Sequence, residues 1–168
     1  ALIGLGLMLL ALGLLSATLG HMEATSVFRA IMQSLEGDVI IAVVAAVLLT
    51  WICHSSVAVV LLIASLAGAG LMTPATAIAL MLGANIGGAL PSVMSASSPV
   101  ARRLPMGNLL ARLLGSLALL PCLPLIANLL ARSDIGLAHW VVYLHTAFNL
   151  LLAVVFGGAP LDGPRRIN

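Results

Sequence analysis

The chain has 168 residues, of which 62% are hydrophobic and 7% charged, and its mean hydropathy is +1.22. So little charge at this length excludes a soluble domain and sets the fold class as an all-α integral membrane protein. The net charge of +2 comes from seven arginines against five acids, and with no arginine-rich stripe carrying aromatics a nucleic-acid partner is excluded.

Residues 1–20 are apolar, long enough to cross a ~30 Å hydrocarbon core. Gly4, Gly6, Gly13 and Gly20 permit close packing of that helix on a neighbour. The run opens at Ala1 without a charged leader, so the expectation is a fragment or one half of something larger. In residues 21–37 polar His21, Glu23, Arg29, Gln33 and Glu36 alternate with apolar side chains. Phe28, Ile31, Met32 and Leu35 keep helical spacing, which predicts a short amphipathic helix at the membrane interface.

Residues 38–70 form one apolar run with a polar knot, Thr50-Trp51-Ile52-Cys53-His54-Ser55-Ser56, at its middle. A straight helix of that length would be ~50 Å long, too long for one crossing, whereas two crossings need roughly 40 residues plus a turn. A re-entrant hairpin with its tip at His54-Ser55-Ser56 is the expected solution. Thr73-Pro74 opens the next helix, about 75–97, with proline in the favoured first turn. A second knot, Gly83-Ala84-Asn85-Ile86-Gly87-Gly88, is expected to break it at 83–88, helped by Pro91. In lipid, backbone that leaves the helix must be buried in protein or line a watery cavity, and transporters bind solutes at such breaks.

Residues 98–104 read as a basic loop with Arg102 and Arg103, and residues 105–131 as a span kinked at Pro121 and Pro124. Residues 132–137 make a polar loop, 138–160 the last span, and the tail is polar and basic. With a re-entrant 38–70, Arg102, Arg103, Arg165 and Arg166 share one side. The positive-inside rule puts that side, and both termini, in the cytoplasm of a cell (inner) membrane. Cys53 and Cys122 lie in apolar stretches and read as small buried hydrophobes. Trp51 reads as core packing and Trp140 as an interface anchor.

The segment from Thr50 to Ala58 resembles the signature of the type II sodium-phosphate cotransporters, whose hairpin tip reads Gln-Ser-Ser-Ser-Ala-Thr. His54 stands at the glutamine, Ser55 and Ser56 at the first two serines, and Val57 at the third. Gly83-Ala84-Asn85-Ile86-Gly87-Gly88-Ala89 resembles the family's Gly-Ala-Asn-Ile-Gly-Thr-Thr. Arg102-Arg103 with Asn108-Leu109-Leu110 is similar to its basic loop and next helix, and His145-Thr146-Ala147-Phe148-Asn149 to its His-Thr-x-Phe-Asn element. The order matches the second of two inverted repeats in that family. The resemblance implies sodium-coupled symport of inorganic phosphate, with no enzymatic chemistry and no cofactor beyond the coupling ion. It further implies a partner repeat, or a second copy of the chain, to complete the site.

The site residues implied are Thr50, His54, Ser55, Ser56, Gly83, Asn85 and Gly87, with sodium near Ser55, Ser56 and Asn85 and no resident metal. Hydroxyls and helix N-termini suit an oxyanion, and neither knot holds a carboxylate. Val57, Gly88 and Ala89 remove hydroxyls that the family pattern carries, and His54 brings a group that titrates near neutral pH. Proton coupling, another anion, or a degenerate scaffold subunit are therefore the alternatives. A membrane enzyme ranks last, because Ser55 beside His54 in sequence is poor geometry for a nucleophile and its base. Gly83 and Gly87 also suit close helix packing, Asn85 a helix–helix hydrogen bond, and His145 with Asn149 an i, i+4 pair.

Overall fold

The computed structural model describes residues 2–22 and 25–157, and within them every regular element is helical. In chain order these are α1 (Leu2–Met22), α2 (Ser26–Gly37), α3 (Val39–Cys53), α4 (Ser56–Gly68) and α5 (Pro74–Gly87). They continue with α6 (Leu90–Ser95), α7 (Pro99–Leu119), a 3₁₀ turn at Leu120–Cys122, α8 (Leu123–Ala131) and α9 (Leu137–Gly157).

Local chemistry sets these boundaries. The Thr25 hydroxyl caps α2 by accepting from the Phe28 N–H at 3.3 Å. Asp38 Oδ1 accepts from the N–H groups of Ile40 (2.7 Å) and Ile41 (3.3 Å), which starts α3 and turns it 118° away from α2. His54 ends α3 in the left-handed region at φ 55°, a conformation that is uncommon for residues other than glycine but more accessible to histidine than to most. Ser55 then caps α4, its Oγ accepting from the Ala58 N–H at 3.2 Å. Thr73 caps α5 with Pro74 in the first turn, and Glu36 ties α2 to this joint by accepting from the Thr73 N–H at 3.0 Å.

The contacts define direction. Gly83 of α5 lies against Val43 and Ala46 of α3, and Gly87 against Val47 and Thr50, so α3 and α5 run parallel. Ser56, at the start of α4, meets Gly88 at the end of α5, so α4 runs antiparallel to both. Helices α3 and α4 are therefore the two arms of a hairpin whose tip is His54–Ser55. That tip lies level with Gly88, about two thirds of the way along the Pro74–Ser95 span at ~1.5 Å per residue. Its arms, 15 and 13 residues long, are each shorter than the ~20 residues that a full crossing takes.

α5 is the axis of the fold: every residue from Thr76 to Asn85 is buried. Around it pack α3, α4, α7, α8 and α9, and the shared core includes Ala42, Val59, Ile63, Ile78, Met81, Leu82, Leu123 and Val141. Pro74–Ser95, Pro99–Ala131 and Leu137–Val155 are long and apolar enough to cross a membrane.

Four sequence expectations need correction. The Gly83–Gly88 stretch is not unwound: α5 stays helical through Gly87 and breaks only at Gly88–Ala89. Its glycines are tolerated in the helix because α3 packs directly on them. Residues 98–104 are not a loop. Ser98 caps α7 by accepting from the Ala101 N–H at 3.2 Å, Pro99 occupies the first turn, and Arg102 and Arg103 lie exposed on the helix. Cys53 and Cys122 are exposed free thiols, because one lies at the hairpin tip and the other in the 3₁₀ turn rather than on a core face. The amphipathic helix begins at Ser26; residues 23 and 24 lie outside the described residues, as does the final stretch 158–160 of the last span.

Candidate functional site

The two polar knots meet, but on different faces of α5. On the α3 side, Gly83 and Gly87 are contact points for backbone. A Cβ at Gly87 would lie 2.5 Å from the Val47 carbonyl oxygen and 2.8 Å from Thr50 Cβ, and one at Gly83 would collide with the Val43 carbonyl oxygen. These glycines bring α3 close enough to seat Thr50, which is fully buried and whose Oγ1 finds no partner among the described residues. A buried hydroxyl left unpaired is costly, and such costs persist where a ligand supplies the missing partner.

At the tip, Ser55 Oγ is engaged in its cap while Ser56 leans on the helix break. A Cβ at Gly88 would lie 3.0 Å from Ser56 Cβ and 3.2 Å from its Oγ. Gly88 thus makes room for Ser56 to approach the break. His54 is exposed, with Nδ1 3.1 Å from its own chain's Ile52 carbonyl. It lines a cavity of about 420 Å³ with Trp51, Ile52, Pro91, Met94 and Ser95. Trp51 Nε1 reaches Met94 Sδ at 3.1 Å and closes one wall.

Asn85 points the other way, as a two-residue offset from Gly83 and Gly87 on a helix requires. It is fully buried and joins a polar network with α7 and α9. Asn149 Nδ2 donates to Asn85 Oδ1 at 3.1 Å and to the His145 carbonyl at 2.8 Å, with His145 Nε2 3.4 Å away. Asn85 Nδ2 reaches Met81 Sδ at 3.1 Å. At the centre lies Arg112 of α7. Its Nη2 donates to Asn149 Oδ1 at 2.7 Å, its Nη1 to the Asn85 backbone carbonyl at 3.0 Å, and its Nε to Asn108 Oδ1 at 3.2 Å.

The helix break makes that arrangement available. The Ala89 N–H turns back to the Ile86 carbonyl at 3.1 Å, which leaves the Asn85 carbonyl for the guanidinium. From residue 39 to residue 133 the chain has no aspartate or glutamate, so Arg112 has no acidic neighbour along its own stretch of sequence. Of the five N–H donors that a guanidinium carries, three are engaged by these bonds. Arg112 also lines a groove of about 650 Å³ beside α7 and α9, together with Arg103, Asn108 and Asn149. A cation held by neutral oxygens, with donors to spare and a groove beside it, is suited to an anion.

The structure thus gathers Thr50, Ser56 and Gly87 with the break on one side of α5, and Asn85 with His145 and Asn149 on the other. Sequence reading missed Arg112 and named Asn108 only within the motif resemblance, not as part of a site on α7. The available signal was a lone ionisable residue in the middle of an apolar span.

The chain matches the Na+/Pi-cotransporter family over residues 7–130. It is 36% identical over 155 residues to the "Putative inorganic phosphate export protein YjbB" of Escherichia coli (strain K12), covering 91% of this chain and 28% of that protein. Proteins of the same name from Escherichia coli O157:H7 and Salmonella typhimurium (strain LT2) are 36% identical over 151 residues, covering 89% of this chain and 28% of each. The chain therefore spans little more than a quarter of the length of the curated relatives it matches. No solved structure matches it. With a match across most of its length, and a hairpin and broken helix where that match falls, the chain belongs to the Na+/Pi-cotransporter family.

Proposed function

We propose that the full-length protein moves inorganic phosphate across the cell membrane by sodium-coupled symport, and that this chain supplies one of two facing halves of the site. The observation that carries this reading is Arg112. A guanidinium set at a helix break, bonded only to neutral oxygens, offers two free donors to an oxyanion. The hairpin tip supports it from the opposite side of α5, where the Ser56 hydroxyl and the Ser55-capped N-terminus of α4 stand against Gly88. Thr50 adds a buried hydroxyl that lacks a partner among the described residues. Sodium would draw on the tip hydroxyls and on oxygens of the partner half, with both termini of this segment facing the cytoplasm.

The relatives' printed name favours a second reading of direction, export rather than uptake. The same site serves either, because the gradients set the net flux. Radiolabelled phosphate flux in proteoliposomes of the full-length protein tests the proposal, with sodium and proton gradients imposed in turn and in both orientations. Sodium-driven flux supports symport. Flux driven by protons alone would transfer the coupling role to His54, and no flux in any arrangement would leave the scaffold reading.

A further inference from the structure

We propose that Arg112 is a tethered cation occupying an oxygen cradle of the kind that binds sodium, so that this half of the protein carries its own fixed counter-charge at the α5 break. The inference rests on the transport reading above and specifies which cation sits beside the helix break. The three atoms that hold the guanidinium are all neutral oxygens: the Asn85 backbone carbonyl at 3.0 Å, Asn149 Oδ1 at 2.7 Å and Asn108 Oδ1 at 3.2 Å. A carbonyl released by a broken helix, joined by side-chain amide oxygens, is the donor set that hard monovalent cations take in transporters.

Two further features favour a resident cation over a guanidinium that serves only as an anion ligand. Asn149 is oriented by its own donations to Asn85 Oδ1 and the His145 carbonyl, which leaves its Oδ1 aimed at Arg112 with no anion bound. Asn85 is fully buried, and its carbonyl has lost its helical donor to the 3₁₀-type bond from Ala89 to Ile86. Without Arg112, that carbonyl and the two amide oxygens would lose their shared donor group, and a small cation from solution could draw them together in its place.

The test reads sodium binding directly and needs no phosphate. Thermal unfolding of the detergent-solubilised full-length protein would be followed in matched sodium chloride and choline chloride, for the wild type, Arg112→Ala and Arg112→Lys. Arg112→Ser gives the same comparison if alanine is not tolerated. The expected result is a sodium-specific rise in midpoint for Arg112→Ala or Arg112→Ser that exceeds the wild-type response by roughly 2 °C or more, as binding to the folded state alone requires. Arg112→Lys, which keeps a cation in the cradle, should respond like the wild type. An equal sodium response in all variants would overturn the inference. Because phosphate is absent, that result is distinct from a failure of the transport reading, which would appear as a wild type with no phosphate flux.

Discussion

Replacing Gly87 with alanine should damage this fold far more than the same change at Gly107. At Gly87 the new methyl would stand 2.5 Å from the Val47 carbonyl oxygen, 2.8 Å from Thr50 Cβ and 3.0 Å from Val47 Cα. Two of these atoms are backbone and cannot rotate away. Reaching ordinary contact at 3.4 Å requires α3 to retreat by about 0.9 Å along its closest approach to α5. Overpacking of this kind costs ~1–3 kcal/mol, and the upper end applies because a helix backbone must move. Alanine returns ~1 kcal/mol of helix propensity, so the net loss is ~2 kcal/mol. At Gly107, on the exposed side of α7, a Cβ meets nothing within 4 Å, and alanine should stabilise by up to ~1 kcal/mol. The two variants should differ by ~3 kcal/mol in denaturant or thermal unfolding of the purified full-length protein. Equal stability of Gly87→Ala and Gly107→Ala would refute the parallel, glycine-mediated contact between α3 and α5.

Thr50→Val removes a buried hydroxyl that has no partner among the described residues; stability should be unchanged or higher by ~1 kcal/mol, because a desolvation penalty disappears, while phosphate flux falls. A stability loss above that size would show that the hydroxyl is bonded within the fold. Asn85→Ala and Asn149→Ala should each cost ~1–3 kcal/mol by leaving buried polar atoms unpaired, and a double-mutant cycle of unfolding should return a coupling of ~0.5–3 kcal/mol. Additive losses would mean that their 3.1 Å bond contributes little. His54→Gly should stabilise the hairpin by about 1 kcal/mol, since glycine adopts φ 55° without the steric cost that a side chain bears; His54→Gln should not. Equal midpoints for the two variants in thermal unfolding would remove the strain argument.

The fold was legible wherever the signal was local. Length and hydropathy set the spans, Thr73-Pro74 marked the start of α5, and the polar knot at residues 50–56 marked the hairpin, whose turn falls at His54–Ser55. Where sequence reading failed, a long-range contact overrode a local rule. Glycines in the Gly83–Gly88 stretch look like helix breakers until α3 is seen packed on them, after which only Gly88–Ala89 is free to break. Ser98-Pro99 carries a helix-start signature, yet the paired arginines suggested a loop. The site was legible in composition but not in arrangement. Asn85 and Gly87 are two residues apart, which on a helix sends them to opposite faces. The pairing of Asn149 with His145 followed from i, i+4 spacing and is seen, whereas its bonds to Asn85 and Arg112 join residues 64 and 37 apart in sequence.

The central claim is that a phosphate-transport site lies at the α5 break and depends on Arg112. The most direct measurement is radiolabelled phosphate flux through proteoliposomes of the full-length protein, wild type against Arg112→Ala, under an imposed sodium gradient. The account predicts saturable, sodium-stimulated flux in the wild type and at least a ~10-fold loss in the variant, the equivalent of losing one charge-assisted hydrogen-bonding group of ~1.4 kcal/mol or more. A wild type that moves phosphate at the same rate as folded Arg112→Ala would contradict it.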